Sequence, residues 1–239
     1  ALVHAGPFAN IAHGTNSVLA DKIALKLSDY VVTECGFGTE LGGEKFFNIV
    51  CRDNPIWPSV VVIVATCRAI KFHGGVPQKP ASALQEENLE AFAKGLKNLE
   101  VHIRNMKKFG VPVLVAINRF PFDTAKEIEM IEKLCAELKV ESAPHEAFAK
   151  GGAGTIELAE KTIHIVEQYK NPQKKFLYSV DMPIEEKIRT IATQIYGAKN
   201  IVINAKIKRK LDRFVELGFG NLPVCIAKTQ MSLSDDPSM

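Results

Sequence analysis

Val113-Leu-Val-Ala-Ile-Asn118-Arg119-Phe120-Pro121-Phe122-Asp123-Thr124 is the stretch whose reading decides the fold. A short, largely β-branched apolar run passes directly into Asn, an aromatic, a Pro and an Asp-Thr pair. A continuous apolar run bounded by turn residues reads as a strand buried on both faces, as in parallel sheets. Thr124-Ala-Lys-Glu127 then has capping-box spacing, and Ile128, Ile131, Leu134 and Leu138 mark one face of a helix over 124–139. The polar residues therefore sit just past the carboxyl end of a buried strand, where ligands bind in open α/β sheets. An ordinary strand-to-helix turn that needs only a Pro and an N-cap is the alternative.

Outward from this stretch, strand and helix patterns alternate over residues 18–170. Asn16 or Ser17 can cap a helix carrying Leu19, Ile23 and Leu27. A helix N-terminus attracts anions, so His13 beside it is either an anion contact or a histidine satisfied by local backbone. Tyr30–Glu34 reads as a strand feeding a loop with Gly36, Gly38, Gly42 and Gly43, whose glycines permit close backbone approach to a ligand. Glu34, at the strand end, is placed for proton transfer. Lys45 is a phosphate contact or a solvated charge. Val60–Thr66 is a second candidate for a fully buried strand. Arg68, Lys71 and His73 follow it, either as an anion site or as a charged helical turn.

Leu89, Phe92, Leu96, Leu99, Ile103 and Met106 recur at helical spacing and predict a long amphipathic helix ended by Gly110. Ala143–Thr155, with Gly151, Gly152 and Gly154, reads as a Gly-rich loop entering a helix that Thr155 can cap. Phe148 within it either stacks on a flat ligand or fills the core. Residues 170–183 read as a linker. Helices over Ile184–Tyr196 and Ala205–Leu217, stopped by Gly197 and Gly218, precede a last strand over Leu222–Thr229. The fold class expected is α/β, a doubly wound and mostly parallel sheet with a ligand crevice along its carboxyl edge.

Composition narrows the function classes. The 239 residues are 46% apolar with a formal charge of only +3, which leaves no basic footprint for nucleic acid. No apolar run reaches the length of a membrane span, and the start carries no signal-peptide pattern. Five cysteines lie without close spacing, so no zinc site is expected. The reading is a reduced, cytoplasmic protein. Ala1 opens into apolar sequence without an initiator Met, and both ends read as cuts through a longer chain. No Gly-x-x-x-x-Gly-Lys-Thr phosphate loop, nucleophile elbow or dinucleotide fingerprint is present.

Several blocks of the sequence, taken in order, resemble the formate–tetrahydrofolate ligase family. They are Gly6–Gly14, Val31–Gly38, Gly43–Phe47, His73–Pro77, Ala116–Pro121, Ala149–Gly152 and Gly218–Thr229. The resemblance implies a P-loop nucleotide-hydrolase-like α/β domain with smaller domains attached. It further implies ligation of formate to tetrahydrofolate, with ATP and Mg²⁺, through formyl phosphate. A monovalent cation is a further candidate cofactor. The partners implied are these small molecules, together with other copies of the chain in a homo-oligomer, and neither nucleic acid nor a membrane. By resemblance, residues 1–110 belong to the nucleotide-binding domain, 111–220 to a second α/β domain with the ring-binding loop, and 221–239 to the start of a further domain. The family's phosphate loop is expected upstream of Ala1, so the isolated chain is expected to be inactive. The connections around Ser28-Asp29 and Gln78–Ala83 resemble the bacterial single-function form.

Site residues carried over by resemblance fall into two groups. His13, Glu34 and Glu40 are the catalytic candidates, with Glu40 standing where Asp is usual. Gly36, Gly38, Lys45, Asn118, Phe120, Pro121, Asp123, Phe148, Gly151 and Gly152 are the substrate- and nucleotide-binding candidates. Asn118–Pro121 matches the segment where the family holds a flat ring, and Phe148 stands where Trp is common. Arg119 and Cys35 stand where Ala is usual, and together with Phe148 these departures motivate the alternative of a non-catalytic folate- or nucleotide-binding paralogue or fragment. The residue types suit the chemistry. Making formyl phosphate requires cations and N–H donors around transferring charge, and a carboxylate or histidine can then accept the N10 proton.

Overall fold

A computed structural model describes residues 13–15, 17–170 and 172–236. In chain order, α1 (Val18–Leu27) leads through extended chain into two π-helical segments (Gly38–Gly43 and Phe46–Val50) and the short α2 (Cys51–Asp53). Then come β1 (Val61–Ala65), α3 (Cys67–His73), α4 (Leu89–Lys107), β2 (Val113–Asn118), α5 (Ala125–Glu137) and β3 (Glu141–His145). The series ends with α6 (Ala147–Lys150), α7 (Ile156–Gln168), α8 (Ile184–Gln194) and α9 (Ala205–Glu216). Among the described residues no helix is long and apolar enough to cross a membrane. The chain divides into two units, one of residues 1–57 and 174–239, the other of residues 58–173.

The unit of residues 58–173 is an open, parallel α/β sheet of order β1-β2-β3. The central strand is buried from Val113 to Ile117, as its unbroken apolar run requires. The α4 stripe packs Phe92, Leu99, Ile103 and Met106 into this core. Gly95 lies on the same stripe, where an added Cβ would come within 1.8 Å of the Ile70 carbonyl oxygen, so α3 and α4 meet at their backbones. The capping box at the start of α5 forms as its spacing predicts, with Thr124 and Glu127 exchanging both bonds. Pairing of β1 with β2 runs across residue 110, so the domain break expected there falls between two strands of one sheet.

Two expectations for this unit need correction. Val60–Thr66 does supply a strand, but among the described residues β1 pairs with β2 alone, and Val64 is 62% exposed, so it is an edge strand there rather than a buried one. Glu141–His145, expected to end in loop, is the third strand. Its polar residues and Pro144 hide the pattern, and an edge position tolerates proline because no outer strand asks for its missing N–H.

In the other unit, Ser17 caps α1 by accepting from the Ala20 N–H at 3.2 Å, while Asn16 lies outside the described residues. The expected glycine loop is helical instead. Gly42 N–H donates to the Phe37 carbonyl at 3.0 Å, a five-residue π-type bond, and Leu41, Phe46, Phe47, Val50 and Cys51 are buried. Tyr178, Ile191 and Ile195 form a second small core with Tyr196, Val224 and Ile226 packed against it. Neither Tyr30–Glu34 nor Leu222–Thr229 forms the strand expected. An apolar run becomes a strand only where another strand meets its N–H and C=O groups, and among the described residues neither run has such a neighbour; Val32 is 94% exposed.

Candidate functional site

The carboxyl ends of β2 and β3 bring most of the ring-binding candidates together. Asn118 and His145 are partners in the parallel register, and His145 Nδ1 lies 3.2 Å from Asn118 Oδ1. The Arg119 N–H donates to the His145 carbonyl at 3.0 Å, carrying the ladder one residue past the strand. The chain then turns tightly. Phe120 N–H donates to Asp123 Oδ2 at 2.8 Å, and Asp123 N–H returns a bond to the Phe120 carbonyl at 3.0 Å. This is the side-chain-closed turn that an aspartate favours.

Three aromatic rings crowd this edge. Phe120 and Phe122 lie parallel within 8° at 5.7 Å between centroids, and Phe148 stands 6.4 Å from Phe120 at 39°. Phe148 is 83% exposed, which answers the alternative left by the sequence: it fills no core here. Pro121 is exposed at the turn. Gly151 and Gly152 follow α6 in a short 3₁₀ segment, and an added Cβ at either would meet nothing within 4 Å. Thr155 does not cap α7 with its side chain; its hydroxyl donates to the Gly152 carbonyl at 2.9 Å. His145 was missed by sequence reasoning because the strand that delivers it was missed.

Beneath the turn lies a buried polar cluster. Lys71 Nζ sits 3.0 Å from Glu127 Oε1 and donates to the Glu86 carbonyl at 3.0 Å, and both charged side chains are fully buried. The Thr124 N–H donates to Glu127 Oε2 at 3.1 Å. Cys67, Asp123 and Glu127 offer ligand-type atoms within 4.8 Å of one another. A thiol and a carboxylate already paired with an ammonium do not suit Mg²⁺, which takes oxygen ligands in octahedral array. Burial raises the Asp123 carboxyl, opposed by the Phe120 N–H, and burial with the neighbouring carboxylates raises the Cys67 thiol. Of the basic residues after β1, Lys71 is therefore consumed internally, while Arg68 is exposed. His73 is exposed, and partial desolvation of its ring lowers its pKa.

The remaining candidates belong to the other unit. Gly14 is buried at φ +90°, with room for no Cβ: one would lie 2.4 Å from the Phe46 backbone nitrogen. His13, next to it, is exposed, and so is Glu34. Glu40 is buried, with its carboxylate folded against Gly38, where an added Cβ would meet Oε2 at 2.2 Å. Burial raises the Glu40 pKa and the charge of Lys228 opposes that rise. The Tyr196 hydroxyl donates to the Glu40 carbonyl at 2.8 Å. Gly36 is exposed at φ +87°, whereas Lys45 is fully buried and so is not the solvated charge that was one reading of it.

One turn from Glu40, Glu44 is fully buried, accepts from Asn48 Nδ2 at 2.7 Å and is pushed up to about 7, chiefly by burial. Arg52 binds the Asn48 carbonyl at 2.8 Å and the Tyr178 carbonyl at 2.9 Å, with its guanidinium 4.2 Å from the centroid of Phe176. Sequence reasoning did not single out Glu44, Asn48 or Arg52, although their four-residue spacing on a helix was a signal available to it.

Comparison with known proteins matches residues 1–239 to the family described as formate–tetrahydrofolate ligase. The chain is 52% identical over 239 residues to the formate–tetrahydrofolate ligase of Granulibacter bethesdensis, covering all of this chain and 41% of that protein. It is also 52% identical over 238 residues to the enzyme of the same name from Pseudothermotoga lettingae, covering all of this chain and 42% of that one. The chain thus spans about two fifths of the length of these relatives.

Proposed function

From the premise that this chain belongs to the formate–tetrahydrofolate ligase family, we propose that it is a ring-holding and cleft-lining part of an ATP-dependent formate–tetrahydrofolate ligase. The observation that carries this reading is the aromatic group of Phe120, Phe122 and Phe148 at the carboxyl edge of β2 and β3. The exposed plane of Phe148 offers a face to a flat heteroaromatic ring, either the pterin or the adenine. Asn118 and His145 supply hydrogen-bonding groups at the adjoining strand ends, where they can read the polar edge of such a ring.

In the reaction proposed, ATP phosphorylates formate, and the formyl group of the resulting formyl phosphate passes to N10 of tetrahydrofolate. Mg²⁺, when bound with the nucleotide, supplies charge neutralisation at the phosphates. The Cys67, Asp123 and Glu127 cluster does not suit that ion, and no step is assigned to it. His13 and Glu34, both exposed, are the groups available to accept the N10 proton. Glu40, buried beside Gly38, orients its surroundings through its carboxylate. The three-stranded sheet is part of a larger doubly wound, P-loop-like sheet in the whole enzyme, which works in the cytoplasm as a homo-oligomer.

The test compares the whole enzyme with this 239-residue chain in formate- and tetrahydrofolate-dependent ADP release, together with equilibrium binding of tetrahydrofolate and of ATP. Turnover is expected from the whole enzyme only. Phe120→Ala is expected to weaken whichever of the two ligands stacks there by about ten-fold or more. Unchanged affinity for both ligands would remove the ring-holding assignment.

A further inference from the structure

We propose that Lys71 is a positioning residue which, through Glu127, sets the turn from Phe120 to Thr124 and thereby the plane of Phe120. The inference deepens the ring-holding assignment and rests on it for its functional consequence.

A Lys–Glu pair with both side chains at 0% exposure is not explained by stability alone. Desolvating two charges costs about as much as their attraction returns, and apolar residues of similar volume serve a core equally well. What the pair does have is a geometric connection to the turn. Lys71 Nζ holds Glu127 Oε1 at 3.0 Å and is itself anchored on the Glu86 carbonyl. That leaves Glu127 Oε2 aimed at the Thr124 N–H, while the Thr124 hydroxyl accepts from the Glu127 N–H at 3.3 Å. Asp123, the next residue back, holds the Phe120 N–H at 2.8 Å. The turn is thus tied at Phe120 by Asp123 and at Thr124 by Glu127, and the Glu127 carboxylate is oriented by the Lys71 ammonium.

Removing the ammonium leaves a buried carboxylate without its counter-charge. Glu127 is then no longer drawn toward Lys71 and swings toward water, which releases the Thr124 N–H. The turn loosens, and an aromatic plane that must be ordered on binding holds a ring less tightly.

The test uses Lys71→Met, with the pair Lys71→Met/Glu127→Gln as the variant that leaves no unpaired buried charge and so protects folding. Two readouts are taken on the 239-residue chain and on the whole enzyme. Hydrogen exchange at the Phe120 and Thr124 amides is expected to quicken by about ten-fold, while the amides of Val113–Ile117 keep their protection. Affinity for the ring ligand is expected to fall by about ten-fold in wild-type background and to change no further in a Phe120→Ala background. Unaltered exchange at Phe120 and Thr124 in a folded variant overturns the positioning role, and so does a loss of affinity that simply adds to that of Phe120→Ala. Quickened exchange together with a Phe120→Ala variant that binds both ligands normally upholds the positioning role and removes the ring-holding assignment instead.

Discussion

Asn118 and His145 are paired twice, once as register partners of parallel strands and again through side chains 3.2 Å apart. The strand register thus sets the two side chains within hydrogen-bonding distance of each other. The two side chains are expected to couple by about 0.5–1.5 kcal/mol in a double-mutant cycle of Asn118→Ala and His145→Ala followed by urea unfolding. Strict additivity would mean that the side chains contribute independently.

Phe148 tests the ring-holding edge without disturbing the core. Because it is 83% exposed, Phe148→Ala is expected to leave unfolding free energy within about 0.5 kcal/mol of wild type. Ring binding is expected to weaken by about 1–3 kcal/mol, the usual worth of an aromatic stack. Phe148→Trp widens the plane and is expected to tighten the same ligand. Calorimetric titration of tetrahydrofolate and ATP against the three proteins decides the point.

Gly14 and Gly36 share a positive φ and differ in their surroundings. A Cβ on Gly14 would lie 2.4 Å from the Phe46 nitrogen and 2.7 Å from the Gly42 carbonyl oxygen, whereas at Gly36 nothing lies within 4 Å. Gly36→Ala is expected to cost about 1 kcal/mol from the backbone conformation alone. Gly14→Ala adds the clash and is expected to cost about 3 kcal/mol or more. Equal denaturation midpoints for the two variants would refute the close packing at Gly14.

Glu44 makes the unit's stability depend on pH. Its carboxyl is raised from 4.5 to about 7, so the folded chain holds a proton that the unfolded chain has released between those values. The contribution is fully present below pH 4.5 and is lost as pH rises through about 7. Unfolding free energy of wild type measured against Glu44→Gln is expected to fall by roughly 2–3 kcal/mol across that window. A difference that does not vary with pH would sink the assignment.

The cysteines are expected to separate by reactivity. Cys51, Cys67 and Cys135 are buried and their thiols are raised by burial, Cys51 to about 12 and Cys135 to about 11, whereas Cys225 is exposed. Iodoacetamide at neutral pH should modify Cys225 at least about 100-fold faster than the buried three, as followed by peptide mass mapping. Labelling of Cys67 at the rate of Cys225 would show that α3 opens readily.

The sequence by itself determined the elements whose signals are local. The run of Val113–Ile117, the Thr124–Glu127 box and the α4 stripe are each read from neighbouring residues, and each appears where expected. So does the placement of Asn118 at a strand end with Phe120 and Asp123 just past it, since strand direction and turn chemistry are written within a dozen residues. Only the tertiary structure decided which apolar runs become strands. Val31-Val32 and Val61-Val62 look alike as sequence, but only the second lies beside β2, and backbone groups pair only with a neighbour that is present. Burial was decided in the same way. Lys71 and Glu127 are 56 positions apart by their residue numbers, so nothing local tells the ammonium of Lys71 from that of a solvated lysine until the fold closes them to 3.0 Å.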